Sequence, residues 1–395
     1  MELTLMCQDR EVAAFSLDLE TGRVLAVRPL SHASEAPLSV CLTGPDPADD
    51  LARFLARRTL SPWRRDLDQI LEATHASSAL QLALRAHGLT LSDPYWYRAA
   101  DDTCTWKDID FRRNNWDPAF GEAVIAQDWE ALATASCMVP DVTSTGFAPK
   151  AWIQTDEGPR LLKAALGALG IDPVGEVLAS RLATRILPTD ASTPYDLVRR
   201  GTKLFSSCPL ITAPDEELVS VRAFTERGFK PDGSPNRPAV WDKDTRATCA
   251  EVLEAAGISE TWPYIAQLTT CAALAIQTDL HLGNCGIIRN VRTGAVRTAP
   301  LFDFGSCFGT AVNSRGIDMA VAMPQLAERY LAPKLRQLEP SWDYGWYDHQ
   351  ALDGFRAELE DALLQEALLS PGYVAIILDL FDHQRVYVDG MARRV

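Results

Sequence analysis

Residues 277–305, QTDLHLGNCGIIRNVRTGAVRTAPLFDFG, decide how the second half of the chain is interpreted. Asp279 and Asn284 stand on either side of a glycine, directly after a strongly apolar segment. A second carboxylate, Asp303, follows the apolar residues of PLFD. Two apolar runs surround the polar turn NVRTG, a pattern that predicts a β-hairpin. Such a hairpin would bring Asp303 back towards Asn284 in space.

These three side chains suit phosphoryl transfer. That reaction needs a carboxylate that orients an incoming hydroxyl, and its Mg²⁺ prefers carboxylate, phosphate and amide oxygens. We predict that Asp279 is the catalytic carboxylate and that Asn284 and Asp303 are catalytic Mg²⁺ ligands. Taken singly, each could be structural: a turn cap, a left-handed position and a strand end. The ordered trio after a buried helix favours an ATP- and Mg²⁺-dependent phosphotransferase.

A kinase also needs a cation for the nucleotide phosphates, and lysine is scarce in this chain. Lys163 ends an alternating run that predicts a strand, and Glu176 on the next predicted helix is its natural ion-pair partner. Alternatively, Lys163 is a solvated lysine at a strand edge. Upstream, TSTGFAPK (residues 143–150) could lie over the phosphates. It has a single glycine, so it is neither a Gly-x-Gly-x-x-Gly loop nor a Walker motif.

Composition sets broader limits. With 395 residues, 47% hydrophobic and 23% charged, the chain is typical of a globular protein with two or three subdomains. It contains no apolar run long enough to span a membrane and no signal-peptide pattern, so we expect a cytoplasmic protein. The net charge of -15 argues against direct nucleic-acid binding. The nine cysteines are scattered without zinc spacing, which predicts reduced thiols rather than a metal site.

The order of predicted elements indicates an α+β protein with two lobes. We expect an accessory N-terminal region over residues 1–105, a β-rich N-lobe over 106–222 and a helical C-lobe over 223–395. A hinge is predicted near 222–242. The aromatic segment 91–121 is predicted to be an ordered loop. Strands are expected over 1–45 and 141–166, and helices over 46–88, 173–187, 244–276 and from about 320 onwards.

Five segments together resemble the HipA-like serine/threonine kinases, a bacterial branch of the protein-kinase-like fold. In chain order they are TGFAPKAW, LLK, GEVLASRLATRIL, TDLHLGN and PLFDFG, within about residues 140–310. The resemblance implies a two-lobed protein-kinase-like fold. It would make Asp279 the catalytic aspartate, Asn284 and Asp303 the Mg²⁺ ligands, and Lys163 the nucleotide lysine. The loop reads GFAPK where the family's usual form is GAQ-x-K.

The resemblance further implies that ATP and Mg²⁺ are cofactors and that a protein serine or threonine is the acceptor. Gly146 and Lys150 would belong to the nucleotide loop. An autophosphorylated hydroxyl would be Thr143, Ser144 or Thr145, with Thr143 best placed by offset. A separately encoded antitoxin-like regulator would be a partner. Two alternatives stay open: a pseudokinase that only binds nucleotide, and a small-molecule or lipid kinase on the same fold.

Overall fold

The computed structural model describes residues 1–167, 169–225, 241–312, 314–324, 337–365 and 369–393. Most of the predicted hinge near 222–242 therefore lies outside the described residues. The chain forms two compact units. The first comprises Met1–Lys163, Pro209–Val219 and Ile288–Ala295, and the second comprises Ala164–Cys208, Ser220–Ile287 and Val296–Val395. The predicted boundaries at 105/106 and 222/223 stay predictions.

The first unit is built on an antiparallel four-stranded sheet of order β3-β2-β1-β4. Its strands are β1 Glu2–Cys7, β2 Arg10–Leu17, β3 Val24–Pro29 and β4 Tyr95–Ala99. The side chains of Tyr95 and Trp96 are fully buried, because β4 pairs with β1 in the middle of the unit's core. The prediction that 91–121 is a loop was therefore wrong for this part. Its aromatic residues are strand residues.

Six helices and a second hairpin also lie in the Met1–Lys163 part of this unit. The helices are α1 Pro47–Ala56, α2 Leu67–Ala73, α3 Ala79–Leu84, α4 Trp106–Ile109, α5 Ala119–Ala126 and α6 Trp129–Thr134. Helix α1 begins as its sequence predicts, because the Asp46 side chain accepts a hydrogen bond from the Asp49 N–H at 3.1 Å. The hairpin comprises β5 Lys150–Thr155 and β6 Gly158–Ala164, paired antiparallel around a tight turn. This hairpin confirms the strands predicted over 141–166, except that Pro140–Thr143 form a 3-10 turn.

The second unit is mainly helical, as predicted for the C-terminal part. The other helices and strands of the described residues are, in chain order, α7 Asp172–Ile186, β7 Asp196–Arg200, β8 Lys203–Pro209, β9 Glu216–Ser220, α8 Arg222–Thr225, α9 Lys243–Ala255, α10 Thr261–Leu274, β10 Gly286–Asn290, β11 Val296–Thr298, α11 Ser314–Ala322, α12 Phe355–Gln365 and α13 Pro371–Ala392. Most of β9 and the end of β10 belong to the first unit. Strands β10 and β11 form the hairpin predicted from the two apolar runs, and the Ala299 N–H donates to the Gly286 carbonyl at 2.8 Å.

Helix α10 is buried along nearly its whole length, as a helix that is apolar on all sides must be. It ends immediately before the TDLHLGN segment and so gives that segment a rigid base. Among the described residues, no helix is both long enough and apolar enough to cross a membrane.

Helix α7 approaches the segment after Asp303 very closely at Gly175. A Cβ atom at this position would lie 2.2 Å from Thr310 Oγ1 and 2.6 Å from the Cys307 carbonyl oxygen. Both distances are far below van der Waals contact, and the second is to backbone. Only glycine therefore allows α7 to pack against residues 307–310.

We expect Gly175→Ala to lower the free energy of unfolding by about 1–3 kcal/mol, because the added methyl overpacks this contact. Gly390→Ala is the matched control: it also lies in a helix, but nothing is within 4 Å of its added Cβ. That variant should be neutral or stabilised by up to about 1 kcal/mol. Urea unfolding measures both. Equal stability of the two variants would contradict the close approach at Gly175.

Candidate active site

The TDLHLGN segment is anchored to the residues that follow Asp303. Ile276, two residues after the end of helix α10, has a left-handed conformation, with φ at 54°. Beyond it, the Thr278 N–H donates to the Ser306 carbonyl at 3.0 Å, and the Phe308 N–H donates to the Ala275 carbonyl at 2.8 Å. Two backbone hydrogen bonds thus hold the two halves of the predicted site together inside one unit.

Asn284, one of the predicted metal ligands, closes a tight turn with His281. The His281 N–H donates to Asn284 Oδ1 at 2.8 Å, and the Asn284 N–H donates to the His281 carbonyl at 2.9 Å. Gly283 donates its N–H to His281 Nδ1 at 3.0 Å. A Cβ at Gly283 would lie 2.6 Å from the imidazole, so a larger residue here would displace the His281 ring. His281 therefore orders this turn.

Asp303 adopts a left-handed conformation, with φ at 62°, and three side chains hold its backbone. Its N–H donates to the Tyr195 hydroxyl oxygen at 3.2 Å. Its carbonyl accepts from Gln277 Nε2 at 3.1 Å and, more weakly, from Asn284 Nδ2 at 3.4 Å. Aspartate tolerates this backbone region better than most residues. The structure thus joins Asn284 and Asp303, as the predicted hairpin implied.

Tyr195 is a positioning residue that sequence reasoning missed. Burial raises the pKa of its phenol well above the usual value, and the neighbouring acidic groups of Cys208, Glu176 and Asp303 raise it further. The phenol therefore stays protonated. The Tyr195 N–H donates to Ser180 Oγ on helix α7 at 3.0 Å, which fixes the backbone behind the ring. No local sequence pattern could have predicted that Tyr195 contacts Asp303, because the two residues are far apart along the chain.

Glu176 is buried within helix α7, with 2% of its surface exposed. Its Oε2 accepts a hydrogen bond from Ser206 Oγ on β8. A buried carboxylate needs such partners, because an uncompensated charge in the interior is strongly unfavourable. Lys163 belongs to the other unit, and its predicted ion pair with Glu176 stays a prediction.

The three candidate hydroxyls of the 143–150 loop differ in exposure. Thr143 is buried, and its hydroxyl donates to the Leu89 carbonyl at 2.6 Å. Ser144 is half-buried and Thr145 is exposed. Thr143, the best placed by sequence offset, is therefore the least accessible of the three in this conformation.

Lys150 folds back over the same loop. Its Nζ donates to the Thr145 carbonyl at 2.8 Å, and a Cβ at Gly146 would lie 2.5 Å from that Nζ. The lysine end could move away from such a Cβ, but Gly146 has φ at 101°, a backbone region that favours glycine. In the β5–β6 pairing Lys150 stands directly opposite Lys163. Two cations therefore project from the same face of this hairpin.

The donor set of the second unit fits a hard divalent cation. Asp303 is half-buried, Asn284 is buried and Asp279 is exposed on the segment that contains Asn284. An amide oxygen has two lone pairs, so Asn284 Oδ1 retains acceptor capacity beyond its bond from His281. Carboxylate and amide oxygens are the ligands that Mg²⁺ takes in phosphoryl-transfer sites. The structure brings Asn284 to the Asp303 backbone, and metal binding by their side chains beside the exposed Asp279 stays a prediction.

Asp141, on the 3-10 turn before the 143–150 loop, is a second buried carboxyl. Burial raises its pKa from 3.8 to about 7. Its Oδ1 accepts the Trp152 N–H at 2.9 Å, whereas Oδ2 has no hydrogen-bond partner among the described residues. The folded chain thus binds this proton more tightly than the unfolded chain. Its stability falls as pH rises from about 4 to 7, and ionisation of Asp141 causes no further loss above that.

We expect Asp141→Asn to remove this penalty while retaining an acceptor for the Trp152 N–H. Its stability relative to the parent should increase by about 2–4 kcal/mol between pH 4 and pH 8. Urea unfolding at several pH values measures this, with the exposed Asp68→Asn as the control. A difference that does not change with pH would contradict an ionisable, desolvated Asp141.

We expect Tyr195→Phe to destabilise the chain by about 1–3 kcal/mol, because the Asp303 N–H loses its acceptor in a half-buried position. Tyr387→Phe is the control, since Tyr387 is 40% exposed, and its effect should be within about 0.5 kcal/mol. Denaturant unfolding compares the two. Equal effects would show that the Tyr195 hydroxyl does not hold Asp303.

Solved structures with a similar fold include HipA in the Shewanella oneidensis MR-1 toxin–antitoxin complex of HipA, HipB and operator DNA. The TM-score is 0.54 at 14% identity, over 99% of each chain. The Helicobacter pylori proinflammatory kinase CtkA matches with a TM-score of 0.42 at 14% identity, over 62% of this chain and 90% of that one. No protein-family model and no curated protein sequence matches. The likeness to HipA is one of fold: as the sequence predicted, the chain has the α+β, kinase-like fold of HipA.

Proposed function

We propose that the chain is an ATP- and Mg²⁺-dependent phosphotransferase, and specifically a HipA-like serine/threonine protein kinase. One observation carries the proposal: Asn284 and the backbone of Asp303 are joined by a hydrogen bond inside the unit that also presents Asp279 to solvent. If Asn284 and Asp303 had separate structural roles, they would not need to lie next to each other. The kinase-like fold supports the same conclusion.

The proposed roles follow from side-chain chemistry. Asp279 is exposed and can orient an acceptor hydroxyl and accept its proton. Asn284 and Asp303 would hold Mg²⁺, which supplies positive charge to neutralise the phosphates. Tyr195 and Gln277 fix the Asp303 backbone, so its carboxylate needs little reorganisation when the ion binds.

The nucleotide side of the proposal rests on the β5–β6 hairpin. Lys150 and Lys163 stand opposite each other on one face of this hairpin. Two cationic side chains on one face suit a polyanionic phosphate. We therefore propose that Lys163 binds the nucleotide phosphates with Glu176 as its partner. The loop containing Gly146 would contribute backbone N–H groups.

For the acceptor we propose a protein serine or threonine. Autophosphorylation would fall on Ser144 or Thr145 rather than on the buried Thr143, whose hydroxyl already donates a hydrogen bond to a backbone carbonyl. We also propose a separately encoded antitoxin-like partner, because the HipA structure of the same fold contains HipB. The net charge of -15 leads us to propose no direct nucleic-acid contact by this chain.

We expect Asp279→Asn and Asp303→Asn each to reduce phosphoryl transfer from ATP by about 10²-fold or more, since each removes a catalytic carboxylate. Asparagine also tolerates the left-handed backbone at 303, so folding should be preserved. The exposed Asp379→Asn is the matched control and should retain parental activity. Radiolabel transfer with Mg²⁺, together with thermal unfolding, measures activity and folding separately.

Intact-mass measurement of the parent with ATP should show an added phosphate that maps to Ser144 or Thr145. Nucleotide binding without transfer in the parent would favour the pseudokinase alternative. Transfer only to low-mass acceptors would favour the small-molecule or lipid kinase. Parental activity in either aspartate variant would overturn the site assignment.

A further inference from the structure

A second cluster of metal-ligating side chains lies in the first unit, remote in sequence from all the candidate active-site residues. His87, Asp102 and Cys104 each offer one ligand atom, and these three atoms lie within 4.8 Å of one another. His87 Nδ1 stands 3.3 Å from Asp102 Oδ2. The two side chains are 24% and 19% exposed, so the cluster is half-buried but reachable from solvent.

The backbone fixes the imidazole of this cluster. His87 follows helix α3 in a left-handed conformation, with φ at 53°. Its N–H donates to the Leu84 carbonyl at 3.0 Å, and its own carbonyl accepts the Tyr97 N–H at 2.8 Å. The ring packs edge-on against Trp96, with centroids 5.9 Å apart. The backbone hydrogen bonds and the contact with Trp96 therefore restrict the His87 ring before any ligand binds.

Asp102 and Cys104 are positioned by a turn of their own. The Asp102 N–H donates to the Ala99 carbonyl at 3.1 Å, at the end of strand β4. The Cys104 N–H donates to Asp102 Oδ1 at 2.8 Å. This bond occupies one carboxylate oxygen and leaves Oδ2 directed at His87. In known metal sites, such hydrogen bonds to the non-ligating atom orient the ligand.

We propose that His87, Asp102 and Cys104 bind one Zn²⁺ ion through Nδ1, Oδ2 and Sγ, with water completing a tetrahedral site. Ligand bonds of 2.0–2.3 Å put tetrahedral ligand atoms about 3.3–3.6 Å apart. The nitrogen–oxygen separation of 3.3 Å already matches, and the sulfur needs to move by little more than about 1 Å from the outer limit of 4.8 Å.

The donor set selects the class of metal. A thiolate and an imidazole are soft or borderline ligands that favour Zn²⁺ over Mg²⁺ or Ca²⁺, both of which prefer oxygen. Zn²⁺ binding replaces the thiol proton, which is released to solvent. The bound ion would connect the end of α3 to the segment between β4 and α4. This site is independent of the proposed kinase activity.

The sequence gives no zinc spacing because the ligands come from separate elements. His87 follows a helix, whereas Asp102 and Cys104 follow a strand that pairs with β1. The metal site therefore depends on tertiary structure. The expectation of reduced thiols without a metal site stays a prediction, which zinc binding at Cys104 would overturn.

The test is a zinc titration of the full-length, tag-free, reduced chain against a chromophoric chelator, with Mg²⁺ in excess. We expect one Zn²⁺ per chain and a rise in melting temperature. Co²⁺ in its place should give a thiolate-to-cobalt charge-transfer band, which reports Cys104 directly. His87→Asn, Asp102→Asn and Cys104→Ser should each weaken binding by at least about tenfold. Cys104→Ser should also abolish the band.

The variants preserve local structure: asparagine tolerates the left-handed position at 87 and keeps the acceptor at 102. His75→Asn is the matched control, because His75 also has a left-handed backbone, with φ at 50°, and is exposed. Cys137→Ser is the control for thiol loss. Both should bind zinc like the parent. Absence of stoichiometric zinc in the parent, or zinc binding unchanged in all three ligand variants, would overturn the site.

Discussion

The left-handed backbone of Asp303 is the constraint on which the candidate active site depends. Three side chains from separate parts of the second unit hold it: Tyr195 before β7, Gln277 after α10 and Asn284 before β10. Residues held in sparsely populated conformations persist only when their surroundings over-determine them, and they cluster at functional sites. The backbone position of Asp303 is thus a property of the whole unit rather than of the DFG triplet alone.

Two packed helices support these side chains. Helix α10 is buried on almost all sides, and helix α7 packs at Gly175 onto the segment that follows Asp303. Helix α7 also carries Ser180, which accepts the Tyr195 N–H, and Glu176, which is buried against Ser206. Sites supported by packed helices hold their geometry more closely than sites on isolated loops. Helix α7 therefore carries Glu176, the proposed partner of the nucleotide lysine, and also supports Tyr195, which holds Asp303.

Much of this arrangement could be predicted from sequence because its signals are local. Apolar residues on every face of 264–277 predicted a buried helix, and two apolar runs around a polar turn predicted the β10–β11 hairpin. Both were confirmed. The order of Asp279, Asn284 and Asp303 then indicated convergence, which the hydrogen bond between Asn284 and Asp303 shows for those two.

The remaining features arise from tertiary packing, which leaves no short-range pattern. Tyr195 lies far along the chain from the residue it holds. His87 lies near Cys104 where the Tyr97 N–H of β4 donates to the His87 carbonyl, a contact between separate elements. Strand β4 itself was mistaken for a loop because its aromatic residues are buried in a sheet core rather than alternating in polarity. Thr143 was the best-placed phosphorylation site by its sequence offset, yet its hydroxyl donates a hydrogen bond to the Leu89 carbonyl inside the protein.

The central claim is that Asn284 and Asp303 are ligands of a single divalent ion. A crystal structure of the chain with Mg²⁺ and a non-hydrolysable ATP analogue tests it most directly. We expect a metal ion about 2.0–2.1 Å from Asn284 Oδ1 and from a carboxylate oxygen of Asp303. Nucleotide bound with its metal held by other residues, and neither of these oxygens within bonding distance, would contradict it.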